Sequence, residues 1–476
     1  VRVSLSARLL PPRVIVAAPA SGNGKTTVSA GLIAALAARG LRVAPFKVGP
    51  DYIDPSLLAQ AAGRPCHNLD AWMLGEAGVC DLFIRHARDC DLAIIEGVMG
   101  LFDGVAGADD FGSTAHVARL LHAPVLLVLD ASAMSRTAAA IAKGLADFDR
   151  LLNVVGVIFN RVGGPTHAAM LREALASTGL TCLGALPRAD ALRMPERHLG
   201  LVHAAEQDPS AWLAALRAQI EAAIDLSTLL AALSPAPFPR INAPAITLAT
   251  QGDRVVDIAI ARDEAFSFTY PDNLALLEAA GARLAFFSPL RDSALPERAG
   301  ALILSGGFPE LYAAQLAANA QMRAAIARAA AGGMPIYAEC GGLMFLCEAL
   351  VDQEGDVHPM CGVLPGRSVM TSRLTLGYRH ARALRDSWLW RAGETIRGHE
   401  FHYSIWEAPE AAAQPVYELL PTHYQPASRL EGAQVGQVIA SYVHLHFLAK
   451  PDLAARFVQA ARSWVKRCPR SNSSAA

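Results

Sequence analysis

The stretch Val14-Ile15-Val16-Ala17-Ala18-Pro19-Ala20-Ser21-Gly22-Asn23-Gly24-Lys25-Thr26-Thr27 constrains this chain more than any other. A β-branched apolar run breaks into a glycine-rich turn and then into helix-forming residues. A strand that feeds a Gly-Lys-Thr turn at a helix start is suited to cradle a polyphosphate, because the helix N-terminus offers unpaired N–H groups. Gly22 and Gly24 let the backbone approach the phosphates, with Asn23 between them. Lys25 can reach the outer phosphates, the Thr26 hydroxyl can ligate magnesium, and Thr27 continues the loop into the helix. In the G-x-x-x-x-G-K-[ST] spacing the first glycine is Pro19 here, so a turn with φ near −65° takes its place. A turn that binds nothing is the bland reading, and GKTT after a β-branched run is much more specific than that.

From this strand onward, strand-like and helix-like runs alternate. The strands are Val14–Ala18, Arg42–Lys47, Leu92–Glu96, Val125–Asp130, Val154–Asn160 and Cys182–Pro187; Thr26–Arg39, Ser135–Asp147, Thr166–Thr178 and Trp212–Ile224 read as helices. Such alternation builds a parallel sheet covered by helices. Proline-rich Ser234-Pro235-Ala236-Pro237-Phe238-Pro239 interrupts the pattern, which restarts at Asp257-Ile258-Ala259-Ile260-Ala261 and continues with strands near 283–287, 301–305, 335–339 and 438–447. A chain of 476 residues also exceeds one hydrophobic core. The expected fold class is α/β: a loose extension at 1–12, a P-loop-type parallel-sheet domain at 13–233, a linker at 234–256, a second α/β domain at 257–466 and a disordered tail at 467–476.

A net charge of −1 lacks the basic excess of a nucleic-acid footprint, and no apolar run reaches the eighteen or so residues that span a bilayer. Neither nucleic acid nor membrane is an expected partner. Arg2, Arg8 and Arg13 ahead of the first apolar run imitate a secretory leader, but cleavage near Ala18-Pro19-Ala20 would cut the phosphate loop, and a cytoplasmic location is expected. None of the eight cysteines stands in a C-x-x-C pair, which argues against structural zinc and a disulfide framework.

Ligands of α/β sheets sit at strand ends. Lys47 closes the second strand and opens Lys47-Val48-Gly49-Pro50-Asp51-Tyr52-Ile53-Asp54, which sets two carboxylates beside a lysine; Glu96 closes the third strand and Asp103 follows it. A magnesium–nucleotide complex needs hard oxygen ligands beyond Thr26, and carboxylates such as Asp51 and Glu96 can supply them. The surrounding prolines and glycines also suit plain turns, but the nearby phosphate loop favours the functional reading. Asn160, with Arg161, ends a later strand where an ATP base or ribose could be contacted.

In the second domain a strand runs into Cys340 and a helix leaves it, in Pro335-Ile336-Tyr337-Ala338-Glu339-Cys340-Gly341-Gly342-Leu343. This is a strand–nucleophile–helix elbow, in which small residues allow a sharp turn that lifts the sulfur above the sheet. The helix N-terminus is expected to lower the thiol pKa. Gly306-Gly307 ends an earlier strand, and the amides of Gly307 and Gly341 suit an oxyanion hole. His444 is the candidate general base. A buried structural cysteine is the bland alternative.

These residues carry a resemblance. The first domain resembles the dethiobiotin-synthetase-like P-loop family, and the second resembles class I, triad-type glutamine amidotransferases. The fusion is similar to the cobalamin-biosynthesis amidotransferases that include cobyrinic acid and hydrogenobyrinic acid a,c-diamide synthases. Ala18 to Thr27, Lys47 to Asp54, Ala261 to Phe268, Ser288 to Asp292 and Gly398-His399-Glu400-Phe401-His402-Tyr403-Ser404 carry the match over nearly the whole chain.

The resemblance implies ATP with Mg2+ and L-glutamine as co-substrates, and a tetrapyrrole carboxylate as acceptor, amidated on its a and c acetates through an acyl phosphate. It makes Cys340 the glutaminase nucleophile and His444 its activating histidine, and puts Asp103 and Asp54 around the substrate or the acyl phosphate. Triad enzymes place a glutamate two residues after that histidine, where this chain has His446. The third member is therefore left open, with Glu400 as one substitute. Related partitioning ATPases carry a second lysine early in the loop; Ala20 stands there, against a dimer-switch ATPase. Cobyric acid synthase and nickel-sirohydrochlorin a,c-diamide synthase are the other members considered, and the Pro50 to Asp54 segment favours the diamide type over the former. Oligomeric state stays open, a homodimer being one option.

Overall fold

The computed structural model describes residues 10–105, 109–189, 196–197, 200–201, 209–235, 255–409, 413–422 and 426–467. It divides into two compact units, Val1–Pro244 and Ala245–Ala476. Most of the expected linker and tail, and residues 1–9 of the expected extension, lie outside the described residues. Leu10 is buried and Pro12 O accepts from Ala93 N at 2.9 Å, so the chain is already anchored before Arg13, contrary to a loose extension through residue 12.

In the first unit the strands β1 (Arg13–Ala17), β2 (Val43–Val48), β3 (His67–Leu69), β4 (Leu92–Glu96), β5 (Val125–Asp130), β6 (Val154–Val162) and β7 (Cys182–Pro187) alternate with helices α1 (Lys25–Ala38), α2 (Ile53–Ala62), α3 (Ala71–Ala87), α4 (Thr114–Leu120), α5 (Arg136–Phe148) and α6 (Pro165–Ala176). A two-residue pair, β8 (Glu196–Arg197) with β9 (Gly200–Leu201), and helices α7 (Ser210–Ala223) and α8 (Leu226–Ala232) complete it. The seven strands form one parallel sheet, ordered β3-β2-β4-β1-β5-β6-β7. β1 is central and every residue in it is buried, as a strand covered by helices on both faces requires. The order reverses beside β1, so its C-terminal end, and the loop leaving it, sits at the crevice where such sheets bind ligands.

The second unit has β10 (Val256–Ala261), α9 (Pro271–Ala279), β11 (Ala282–Phe287), β12 (Ala299–Leu304), α10 (Ala313–Ala318), α11 (Ala320–Ala331), β13 (Ile336–Glu339), α12 (Gly341–Leu346), β14 (Cys347–Val351), β15 (Val357–Pro359), β16 (Leu364–Ala383), β17 (Thr395–Glu407), β18 (Tyr417–Leu419), β19 (Arg429–Glu431), β20 (Ala433–Val435), β21 (Val438–Ser441), β22 (His444–Leu445) and α13 (Asp452–Arg467). One sheet runs β11-β10-β12-β13-β21-β20, parallel except for β20. A second sheet is built on the long antiparallel pair β16 and β17. The strand expected at 438–447 divides: β21 pairs with β13 in the first sheet, whereas β22 pairs with Gly398 and His399 of β17 in the second. His444 thus arrives on a bridge between two sheets. No described helix is long and apolar enough to cross a membrane.

Candidate functional site

The loop after β1 enters α1 through Gly24, at φ 94° and ψ 27°. A Cβ there would stand 2.1 Å from Asn160 Nδ2, so both backbone and space demand glycine. Asn160 donates to Asn23 O at 3.0 Å, Asn23 Oδ1 accepts from Asp130 N at 3.0 Å, and Arg161 donates to Gly22 O at 2.9 Å and Asp130 at 2.6 Å. The polar ends of β5 and β6 therefore hold the loop in shape, and Asn160 and Arg161 act first as its buttress. Lys25 Nζ reaches Ala20 O at 3.1 Å and Met99 O at 2.6 Å. Burial, then the nearby Lys47, lowers its pKa to about 8. A buried ammonium resting on two carbonyls can turn toward a stronger anionic partner such as a phosphate.

Around Lys47 the structure gathers the predicted carboxylates. Its Nζ lies 2.6 Å from Asp54, 2.8 Å from Glu96 Oε1 and 3.7 Å from Asp51. Thr26 donates to the same Glu96 oxygen at 2.7 Å. Asp51 also does the turn work foreseen for it: Oδ1 accepts from Ile53 N at 2.8 Å and Asp54 N at 3.2 Å, at the start of α2. Burial, then Asp54, pushes Asp51 up to about 7, and burial against the pull of Lys47 pushes Glu96 up to about 8. Asp54 stays below the usual range because Lys47 outweighs its burial. The buried Glu96 Oε2 finds no donor among the described residues. Carboxylates whose charge is this costly, with an unmatched oxygen next to the Thr26 hydroxyl, fit a hard divalent cation on Thr26, Glu96 and the outer oxygen of Asp51. Asp103 stands apart from that cluster: it is exposed, accepts from Gly100 N at 2.8 Å, and shapes the loop that carries Met99 O to Lys25.

In the second unit Cys340 sits between β13 and α12 at φ 47° and ψ −101°, a conformation rare outside glycine and typical of a strained elbow. A Cβ at Gly342 would stand 2.2 Å from Leu304 O, and one at Gly341 would stand 3.1 Å from Gly307 N. The two amides expected to form an oxyanion hole are therefore neighbours. A Cβ at Gly306 would lie 2.5 Å from His444 Cε1, which packs the imidazole ring onto the same glycine pair. The expectation of a lowered thiol pKa is overturned: burial first, then the charge of Glu310, pushes Cys340 up, and the Gly341 amide opposes this too weakly. The six residues of α12 cannot offset desolvation, so the thiol needs a base.

Glu400 is not at His444. It is buried in an ion cluster with Arg379 and with Arg429, the latter at 2.5 Å; against its burial, a hydrogen bond with His402 and then the two arginines lower its pKa to about 2. Sequence reasoning missed three supporting residues. Asn68, in the middle of β3, donates to Gly49 O at 2.9 Å and Asp51 O at 2.7 Å and so pins the carboxylate loop. Thr114 Oγ1 bonds both Val98 N and Val98 O. Glu339, next to Cys340 in the chain, lies 3.6 Å from His444. Only Glu339 had a local signal, a carboxylate in an otherwise apolar strand.

A phosphate-binding parallel-sheet unit and a cysteine-elbow unit on one chain define a glutamine-dependent amidotransferase with its own nucleotide-binding domain. Residues 14–202 match the CobQ/CobB/MinD/ParA nucleotide binding domain, and residues 257–452 match the CobB/CobQ-like glutamine amidotransferase domain. The chain is 45% identical over 461 residues to a cobyrinate a,c-diamide synthase of Dehalococcoides mccartyi, covering 95% of this chain and 99% of that one. It is also 45% identical over 485 residues to a hydrogenobyrinate a,c-diamide synthase of Streptomyces coelicolor, covering 95% and 98%. A cobyrinate a,c-diamide synthase of Syntrophotalea carbinolica is 46% identical over 461 residues, covering 95% and 99%. The chain belongs to the cobyrinate/hydrogenobyrinate a,c-diamide synthase family.

Proposed function

We propose that this chain replaces the a and c acetate hydroxyls of cobyrinate or hydrogenobyrinate with amide nitrogen from glutamine, at the expense of ATP and with Mg2+. The observation that carries this reading is the pairing, in one chain, of the Cys340 elbow packed against Gly307 and His444 with the Lys25, Thr26, Lys47 and Glu96 cluster.

A carboxylate is a poor acyl donor, so the acetate oxygen first takes the γ-phosphoryl group of ATP, giving an acyl phosphate and ADP. Lys25 and Lys47 stabilise the charge on the transferring group, and the Gly22 to Thr27 backbone orients the phosphates. A magnesium ion bound at Thr26, Glu96 and Asp51 would neutralise phosphate charge during transfer. Asp103 and Asp54 border the acceptor. In the second unit His444 takes the Cys340 proton, the thiolate attacks the glutamine carboxamide, and the Gly307 and Gly341 amides donate to the oxyanion. His444 returns the proton to the leaving ammonia, and water then cleaves the thioester to glutamate. Ammonia displaces phosphate from the acyl phosphate and forms the amide.

Incubation with ATP, glutamine and each candidate tetrapyrrole, read by mass spectrometry, tests this. Two OH-to-NH2 replacements are expected on cobyrinate or hydrogenobyrinate; amidation of nickel-sirohydrochlorin alone, or of none, refutes it.

A further inference from the structure

The general base needs a partner for the charge it gains, and the place two residues beyond it holds His446, which brings no carboxylate. That ring is buried against Tyr270, with centroids 4.5 Å apart, and its Nε2 lies 3.9 Å from Asp272. Glu400 is held by its two arginines. Glu339, the residue immediately before the nucleophile, is different. It is buried, and its Oε1 is fixed by two donors, Tyr337 OH at 2.6 Å and Leu445 N at 3.0 Å. With one oxygen held on both sides, the carboxylate cannot rotate away, and Oε2 faces His444 Nδ1 at 3.6 Å.

The backbone ties these groups together. Glu339 pairs with Ser441, Cys340 N donates to Ser441 O at 2.7 Å, and the chain then turns into His444. Among the described residues, two rings pack on His444. His399 stacks on it at 4.9 Å with planes 12° apart, and burial, then His444 itself, holds His399 neutral; the Phe268 ring is 6.5 Å away. Behind His399 lie Tyr270, at 3.0 Å from it, and the mutually paired Glu400 and Arg379.

We propose that Glu339 is the positioning residue of the glutaminase site: its carboxylate orients His444 and stabilises the imidazolium formed when Cys340 loses its proton. The separation is longer than an ordinary hydrogen bond and closes as the imidazole becomes charged, as such bonds do along a reaction. This rests on the reading of Cys340 and His444 as the glutaminase pair.

The test compares Glu339→Gln, which keeps an acceptor for Tyr337 and Leu445 but loses the charge, with Glu339→Asp, which keeps the charge. Glutamine hydrolysis is measured as kcat and KM, and iodoacetamide alkylation of Cys340 is followed against pH by peptide mass spectrometry. Ammonia-dependent synthesis in the same samples reports folding. For Glu339→Gln, kcat is expected to fall roughly 10- to 100-fold with KM within about twofold, because the loss falls on proton transfer. Its alkylation profile moves to higher pH, and Glu339→Asp lies between it and wild type. A wild-type kcat and alkylation profile in Glu339→Gln, with Cys340→Ser and His444→Ala inactive on glutamine, overturns the proposal and leaves the glutaminase pair standing. Activity in those two variants as well brings down the pair itself. Loss of ammonia-dependent synthesis in both Glu339 variants marks a structural role and also overturns the proposal.

Discussion

Gly342→Ala is the sharpest test of the elbow. The added Cβ would lie 2.2 Å from Leu304 O and 2.8 Å from Leu304 C, both backbone atoms at the end of β12, which have no rotamer by which to yield. Ordinary contact requires the start of α12 to move away by roughly 1 Å, at an overpacking cost of about 1–3 kcal/mol. Cys340, the proposed nucleophile, is carried on that start, and a displacement of about 1 Å at a reacting centre costs on the order of 100-fold in rate. Glutamine-dependent synthesis is therefore expected to fall on the order of 100-fold, with ammonia-dependent synthesis retained in the same preparation, since the phosphate site belongs to the other unit. Gly144→Ala is the control: nothing lies within 4 Å of its added Cβ, at an exposed position of α5, and it is expected to stabilise by about 0.5–1 kcal/mol. Glutamine hydrolysis by Gly342→Ala within about twofold of wild type would mean that the elbow does not fix the sulfur, and the reasoning would fail.

Cys340→Ser is expected to abolish glutamine-dependent amidation and spare synthesis at high free ammonia; equal loss with both nitrogen sources refutes the assignment. Lys25→Ala removes the ammonium that rests on Ala20 O and Met99 O and should abolish synthesis with either source while glutamine hydrolysis remains detectable, so wild-type ammonia-dependent synthesis would exclude the loop as the activating site. Asp51→Asn and Glu96→Gln should raise the magnesium requirement of ammonia-dependent synthesis, and Asp103→Asn should instead slow amidation or uncouple it from ATP hydrolysis; magnesium titrations like wild type, at unchanged rate, in all three refute these roles. Burial, then Glu400, raises Glu431 from 4.5 to about 7, so the folded protein holds a proton that the unfolded chain releases. The stabilisation from this group is present below about pH 4.5 and is lost as pH rises through about 7, and Glu431→Gln should flatten the fall in melting temperature between pH 5 and 8; an unchanged slope refutes it.

The chemistry-bearing turns were legible because each is written in adjacent residues. In the phosphate loop the turn, lysine and hydroxyl lie within a few positions of one another, and a buried central strand reads as a continuous β-branched run whatever surrounds it. The Cys340 elbow is equally local. The helix α2 and the short β3 were not read, since Pro50 and Pro55 resemble turn punctuation and a three-residue strand carries no periodicity. The long pair β16 and β17 was missed for another reason: most of β16 is not buried, and its alternation is too irregular to mark a strand.

What remained hidden are groups that meet through sheet register. Glu400 and His444 looked like plausible neighbours because both belong to conspicuous motifs, and β17 does pair His399 with His444. Successive side chains on a strand point to opposite faces, however, so the register that stacks His399 on His444 turns Glu400 to the other side, toward Arg379 and Arg429. The carboxylate that does face His444 comes from a different strand, β13, and is brought there by its pairing with β21. A one-residue slip of β17 would turn Glu400 toward His444 and His399 away from it. Which carboxylate faces His444 is thus a property of how two sheets meet there.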